Sequence, residues 1–422
     1  MKNILLSTNG ADRATAYAMS NKLIPLPNGY LVTWLDSQRQ NQWAMVNPGT
    51  GQIARSGALG GICVDNHCGA ALVCVENHVH AIIGGHHSPF EHYRMDLSQP
   101  ERWNHVATVD VKGTYPSVVT DSKRRIHMAY RTPGDRWSLA YCRFQDDRWT
   151  PSTALVVADK PGYIYWTNGL AVSHDDALHL VFGNTRVQAD GALLYGAAHI
   201  VSHDAGETWC DDGSAVLPLP SPAMAVPLLV DECSDRVQSL ADQQAHDQSG
   251  PRNFNYQQIL LSNPVVDTKG VVHVVLHNGL TGTADLMSRS TSGHWTAEPL
   301  TATATNRDPS LRIHVQSSLS VLPDDRLRVA LMVEQTEESV WGAPGTNIVL
   351  LEIRKDRKET LAMRVTPTDF GCAHWLPAQP HYGVTVPDRV PPLLYTKGVN
   401  AGGFDNNQNT VKTEVFLCDF ET

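Results

Sequence analysis

Four side chains in the first third of the chain have the types and spacing of a proton-transfer site: His67, His86, Tyr115 and Arg131. Histidine and tyrosine exchange protons, whereas arginine keeps its charge and grips a carboxylate through a two-pronged fork. The four are placed symmetrically about turn signals. His67 and His86 centre on position 76.5, inside Glu76-Asn77-His78, and Tyr115 and Arg131 on 123, inside Asp121-Ser122-Lys123-Arg124. Residues equally far from the centre of an antiparallel hairpin face each other at its open end. Both pairs are therefore expected at the open ends of neighbouring hairpins.

The same arithmetic couples Asn168 with Arg186 on 177, Asn263 with Asn278 on 270.5, and His314 with Gln335 on 324.5. The result is one mouth rich in His, Tyr, Arg and Asn and poor in carboxylates. Arg186, His87, Asn168, Asn278 and His314 are the expected substrate contacts. Four other histidines, His80, His127, His179 and His273, recur at one place in successive second strands (HVHAII, RIHMAY, LHLVF, VHVVLH). A repeated position away from the mouth reads as part of the fold.

The elements that must hold these residues are seven strand–turn–strand units. They begin at Lys22, Gly69, Tyr115, Thr167, Asn263, Ser318 and Tyr382, each an apolar run rich in Val, Ile and Leu broken by signals such as Pro-Asn-Gly, Thr-Lys-Gly or Pro-Asp-Asp. No helical period competes with them. Repeated hairpins of this kind predict an all-β fold, a seven-bladed β-propeller with four-stranded antiparallel blades, spanning residues 1–422 as one domain. Trp103, Trp149, Trp209 and Trp295 follow four of the hairpins and mark outer-strand turns. The third closes SHDAGETW, Ser202 to Trp209, a full match to the Asp-box pattern S-x-D-x-G-x-T-W. Asp204 is accordingly a turn-forming residue and Trp209 a packing one.

Composition narrows the partners. With 42% hydrophobic and 18% charged residues the 422-residue chain has a large core, and its net charge of −10, with no basic run, argues against nucleic acid. An acidic ligand has to be met by a local cluster of arginines and histidines. The N-terminus has only the short apolar run Ile4-Leu5-Leu6, so no signal peptide is read and the cytoplasm is the default expectation, secretion or the periplasm the alternative if a leader was removed. No stretch approaches a membrane span. The eight cysteines form no CxxC pair and are expected to be reduced, mostly buried thiols; Cys372 with His374 is too small a set for a metal site.

Two segments, DNHCGAALVCVENHVHAIIGGHHSP from Asp65 and TYPSVVTDSKRRIHMAYR from Thr114, resemble the BNR-like propeller polysaccharide lyases, a group that includes ulvan lyases and lyases acting on rhamnose–glucuronate linkages of gum arabic and arabinogalactan. The group's pattern is D-[DN]-H-N, then G-G-H-N-S-P, then T-Y-P with an Arg 16 residues after the Tyr, as between Tyr115 and Arg131. The chain departs from it at Cys68, where the pattern has Asn, and at Gly84-Gly85-His86-His87, where His86 or His87 fills the histidine position. His86 follows the glycine pair directly and satisfies the hairpin symmetry.

The resemblance implies β-elimination on a uronic acid, giving a 4,5-unsaturated uronate from an acidic, glucuronate-containing polysaccharide or oligosaccharide. The proton at C5 lies α to a carboxylate, and a guanidinium paired with that carboxylate stabilises the developing dianion. Arg131 suits this role, with Arg186 as a second contact. Tyr115 and a histidine, His67 or His86, supply base and acid in either order. The chemistry requires no cofactor, and the group's channels leave room for a structural calcium or other divalent ion whose ligands are not legible here. A sialidase-like hydrolase and a non-catalytic carbohydrate-binding propeller are the competing readings.

Overall fold

A computed structural model describes residues 1–161, 166–187, 192–229, 238–239, 259–279, 281–335, 342–354, 360–382, 388–400 and 411–420. Cys233 and residues 383–387 of the hairpin expected from Tyr382 lie outside these residues. The described chain is nearly all β, in six sheets. Neighbouring strands run antiparallel except where Val156 and Val157 pair with Ser221 and Pro222.

The first sheet contains strands Leu23–Leu26, Gly29–Leu35, Gln40–Asn47 and Gln52–Ile62 in chain order. Its tight first turn needs Gly29, whose φ is +149° and whose missing Cβ would lie 2.0 Å from the Val46 carbonyl oxygen. The next sheet has nine strands, because the 18-residue strand Trp103–Thr120 serves two neighbours. Its first half pairs with His86–Asp96 and its second half with Ile126–Thr132. Three sheets follow from the hairpins beginning near Thr167, Asn263 and Ser318. The last joins Ala373–Ala378, Leu393–Gly398 and Thr413–Asp419 to the N-terminal strand Lys2–Gly10, with Lys2 opposite Asp419. The two chain ends thus hold each other.

Apolar faces pack sheet on sheet. One cluster runs from Val119 and Leu139 through Leu170, Leu180 and Trp209 to Val274 and Leu276, crossing several sheets. The recurring histidines and tryptophans belong to this packing. His80 Nδ1 bonds to His92 Nε2 at 2.8 Å, and Trp149 of the following unit donates to His92 Nδ1 at 3.3 Å. One unit further, His179 Nδ1 meets His199 Nε2 at 3.1 Å, and Asp212 takes both His199 Nδ1, at 2.7 Å, and Trp295 Nε1, at 3.0 Å. His127 bonds to Tyr141, whose ring meets Trp209 edge-on at 5.4 Å, and His273 bonds to Ser288. Each second-strand histidine therefore ties its strand to a third-strand partner in the same sheet, in three cases beside the tryptophan of the next unit.

The SHDAGETW segment closes on itself. Asp204 accepts from Thr208 N at 2.9 Å and Thr208 Oγ1 at 2.6 Å, and Ser202 Oγ accepts from Gly206 N at 2.8 Å, while Trp209 is fully buried. Asp204 spends its carboxylate on its own turn.

Residues 11–21, which carry no strand or helix period, form a buried loop between the sheets. Thr15 Oγ1 donates to Leu376 O at 2.7 Å, Ser20 Oγ to Pro116 O at 2.7 Å and Asn21 Nδ2 to Leu72 O at 3.2 Å. With Tyr115, Leu260, Met332 and Trp375, the loop's Ala16, Tyr17 and Met19 make an apolar cluster drawn from several sheets.

Candidate active site

The hairpin centred on 76.5 forms in the expected register, with Ala71 opposite Ile82 and Val75 opposite His78. His67 precedes its first strand, in a loop that turns back through Asp65, whose Oδ1 accepts from His67 N at 2.9 Å. His86 opens the strand after Gly84 and Gly85, both at φ near +90° (88° and 90°). At Gly85 a Cβ would sit 2.1 Å from the Phe90 ring, so only glycine lets the chain bend here and present His86.

The two imidazoles stack with centroids 4.0 Å apart and share one carboxylate. Asp65 Oδ1 lies 3.1 Å from His67 Nδ1, and Asp65 Oδ2 bonds His86 Nδ1. Burial pushes the Asp65 carboxyl up, but the hydrogen bonds from His67 and His86 outweigh it and hold the group well below the usual carboxylate range. His67 is buried and its far nitrogen, Nε2, faces Arg13 Nη1 at 2.8 Å. Burial, then the Arg13 charge, lowers its pKa to about 3. A cationic donor on Nε2 leaves the proton on Nδ1, so His67 is neutral with both nitrogens engaged. His86 has its side chain 19% exposed, and among the described residues only its Nδ1 has a hydrogen-bond partner.

Tyr115 and Arg131 meet, though not as ladder partners. The hairpin keeps its centre at 123 as far as Ser117 opposite Ala129; then a bulge sets Thr114 opposite Arg131. The cause is Pro116, which has no N–H to give to the ladder. Tyr115 takes φ +59°, a costly left-handed conformation for an aromatic residue. Asn168 Nδ2 on the Tyr115 carbonyl, at 3.3 Å, and the Ser20 bond to Pro116 hold it there. The Arg131 guanidinium carbon sits 4.6 Å from the Tyr115 ring centroid and 4.7 Å from that of Trp137. Arg131 is fully enclosed.

Sequence reasoning missed Arg13, Tyr17, Asp65 and Trp137. Tyr17 accepts from Arg13 Nη1 at 3.0 Å, stacks on His67 at 5.8 Å and meets Tyr115 edge-on at 4.8 Å. Burial raises its pKa to about 12, so it stays protonated. Only Asp65 carried a signal, two residues before His67.

His87 lies beside the site, its ring 4.3 Å from His86 and 5.2 Å from Trp137, with its pKa lowered to about 4 by burial and then by His86 and Arg131. Asn168 reaches it through Tyr115. The remaining expected contacts do not join by register. Asn168 pairs with Phe182, not Arg186, because the turn centres on 175 rather than 177; Arg186 bonds the Val226 carbonyl at 2.5 Å. Asn278 faces Ile259 instead of Asn263, which binds Leu319 of the next sheet. Gln335 pairs with Leu311, and a register shift between Ile313 and Ser317 leaves His314 outside the ladder. His314 is fully buried, 4.0 Å from Glu334.

Asp65, His67 and His86 hold donor atoms within 4.8 Å of one another. Two imidazoles and a carboxylate suit a zinc-type ion and not calcium, which takes oxygen ligands. The Arg13 cation 2.8 Å from His67 opposes a divalent ion there, so the donor set fits a hydrogen-bonded triad better than a metal centre.

No family model matches the chain, and no curated protein matches it. Solved structures do. A polysaccharide lyase described as a new family, an ulvan lyase, matches with TM-score 0.66 at 12% identity, over 98% of this chain and 95% of that one. The same lyase bound to a GlcA(1-4)Rha3S oligosaccharide matches equally, with TM-score 0.66. The polysaccharide lyase Uly1 matches with TM-score 0.58 at 11% identity, over 99% of both chains. The chain shares its fold with polysaccharide lyases along nearly its whole length.

Proposed function

We propose that this protein is a polysaccharide lyase that cleaves the bond to O4 of a uronic acid by β-elimination, on a seven-bladed propeller. The blade count follows if the nine-stranded sheet is two blades sharing strand Trp103–Thr120, with the other five sheets one blade each. The observation that carries the function is the Asp65 carboxylate shared by stacked His67 and His86 beside Tyr115 and two arginines.

His86 is the proton-transfer histidine. Asp65 on its Nδ1 fixes the tautomer that exposes a basic Nε2, while His67, capped on both nitrogens, holds Asp65 in place. Tyr115 is the second proton carrier. Arg131 over its ring stabilises phenolate character, and with Trp137 displaced its fork meets the substrate carboxylate. Arg13 adds a second positive charge behind His67. Together these charges offset the repulsion between a uronate and a chain of net charge −10. The ulvan lyase's bound glucuronate–rhamnose oligosaccharide makes such linkages the first substrates to try.

A glycoside hydrolase of the two-carboxylate type needs one acid and one base or nucleophile. Here the carboxylate of the cluster is committed to two histidines. Incubation with ulvan, gum arabic and glucuronan, followed by near-UV absorbance of the 4,5-unsaturated uronate, tests the reading. Absorbance should rise, and it should vanish in Tyr115→Phe and His86→Ala with the fold intact; reducing ends appearing without absorbance would establish a hydrolase instead.

A further inference from the structure

The departure at Cys68 puts a second thiol against the Asp65–His67 loop. Cys63 and Cys68 bracket that loop in sequence, and the Cys63 thiol lies 3.9 Å from the Cys68 carbonyl oxygen. Asn41 fixes both ends. Its Nδ2 donates to Cys63 Sγ at 3.5 Å and to the Cys68 carbonyl at 2.9 Å, and its Oδ1 accepts from Ala70 N at 2.8 Å. Cys63 is half-buried between exposed Ile62 and Val64, whereas Cys68 is fully buried with Sγ 3.8 Å from Asp65 Oδ1. Both are free thiols. An outer thiol within reach of solution thus lies against the residue whose inner thiol touches the carboxylate orienting both histidines.

We infer that Cys63 and Cys68 are a redox modification site, which a small disulfide such as oxidised glutathione closes into an intramolecular disulfide that switches the Asp65 site off. The inference deepens the proposed lyase reading and rests on it for the effect on turnover. The Cys63 thiolate attacks one sulfur of the glutathione disulfide, forming a mixed disulfide and releasing one glutathione thiolate. The Cys68 thiolate then attacks the Cys63 sulfur and releases the second. Two protein thiols lose two electrons, one small disulfide gains them, and the two thiol protons pass to the two glutathione products. The sulfurs must close to about 2.05 Å, so the Cys68 end of the loop is drawn toward Cys63 and its S–H is withdrawn from Asp65 Oδ1. That same oxygen orients His67 through its N, at 2.9 Å, and its Nδ1, at 3.1 Å.

The test incubates the full chain with reduced or oxidised glutathione, alkylates free thiols and maps the peptides by mass spectrometry. The expected result is a Cys63–Cys68 disulfide in the oxidised sample, reversed by dithiothreitol. The elimination rate should fall roughly 10- to 100-fold and recover, the scale expected when a catalytic group is misplaced by about an ångström. Cys63→Ser should keep its reduced-state rate and lose the response; Cys68→Ser should stop at the Cys63–glutathione mixed disulfide, read by mass. The imidazole ¹⁵N signals of His67 and His86 should shift on oxidation, a readout independent of turnover. If no uronate is cleaved yet the disulfide maps and the signals move, the thiol switch stands and the lyase reading falls. Both cysteines staying alkylatable in excess oxidised glutathione, or a disulfide that leaves rate and imidazole signals unchanged, overturns the inference.

Discussion

The ring of His67 stacks on that of His86 at 4.0 Å, and the Nδ1 atoms of both point at the carboxylate of Asp65. Two neighbouring imidazoles with the same partner have different duties because their far sides differ. His67 turns Nε2 into Arg13, at 2.8 Å, and is buried; the His86 side chain is 19% exposed. One carboxylate thus anchors a ring engaged on both nitrogens and orients a second, partly exposed one.

Asp65→Asn separates these duties. An amide has no charge to offer the two Nδ1–H groups and presents one acceptor oxygen, so His86 loses its tautomer and His67 its anchor. We expect kcat on a uronate polymer to fall by roughly 10²- to 10⁴-fold, with KM changed far less. Stability should drop by about 1–3 kcal/mol, read by urea melts, as buried donors lose a charged acceptor. His67→Gln should cost less activity than His86→Gln; the reverse order would show that His67 is the proton carrier.

The buried histidines predict an acid-labile fold. His67, His92, His179, His277, His314 and His381 have pKa values lowered to about 3, in each case first by burial. The unfolded value is near 6.5, so below it the unfolded chain binds protons that the folded chain does not. The stability these neutral rings provide is present above pH 6.5 and is lost as pH falls toward 3, at about 1.4 kcal/mol per pH unit for each ring. Urea midpoints should decline steeply between pH 6.5 and 4, with several protons taken up on unfolding. A flat profile over that range would mean that the rings are solvated or paired with anions.

The sequence made the regular parts of this arrangement readable and concealed the irregular ones. The hairpin about 76.5 obeys its two-residue periodicity throughout, so the nearness of His67 and His86 followed from counting. Counting misplaced Tyr115 by one position, because Pro116 breaks the ladder, and Arg186 by more, because the turn before it centres on 175. Arg13 and Tyr17 could not be found in this way. They come from a loop with no period, and its position depends on long-range bonds to Pro116, Leu72 and Leu376. The recurring histidines were recognisable as fold residues because repetition is itself a packing signature.

Asn168 is predicted to act through backbone strain. Its Nδ2 holds the carbonyl of Tyr115, whose φ of +59° is unfavourable by about 1–3 kcal/mol. Asn168→Ala frees that carbonyl and lets the bulge relax, carrying the phenol away from His67 and Arg131. kcat should fall roughly tenfold or more while KM stays close to wild type, since a misaligned proton carrier costs rate before binding. Asn168→Asp, which keeps the shape but replaces the amide donor with an acceptor, should fail to restore the rate. Rescue by Asp would mean that the donated hydrogen bond is unimportant.

Lys22 gives a pH signature of the same sign, in a more alkaline window, from a base of another kind. Its ammonium is buried beneath the first two hairpins, with the Ala70 carbonyl at 2.6 Å its one acceptor among the described residues, and burial lowers its pKa from 10.5 to about 7. Above pH 10.5 the amine is neutral in both folded and unfolded chains, and below 7 it is charged in both, so the full cost of burying the charge falls on the folded state there. Between these limits the unfolded chain holds a proton that the folded chain has shed, and stability rises with pH by about 1.4 kcal/mol per unit. Lys22→Met keeps the length of the side chain and removes the charge. It should be more stable than wild type at pH 6, by urea melts, and its advantage should shrink steadily from pH 7 to 10. An advantage independent of pH would show that Lys22 keeps its charge throughout, held by an anionic partner.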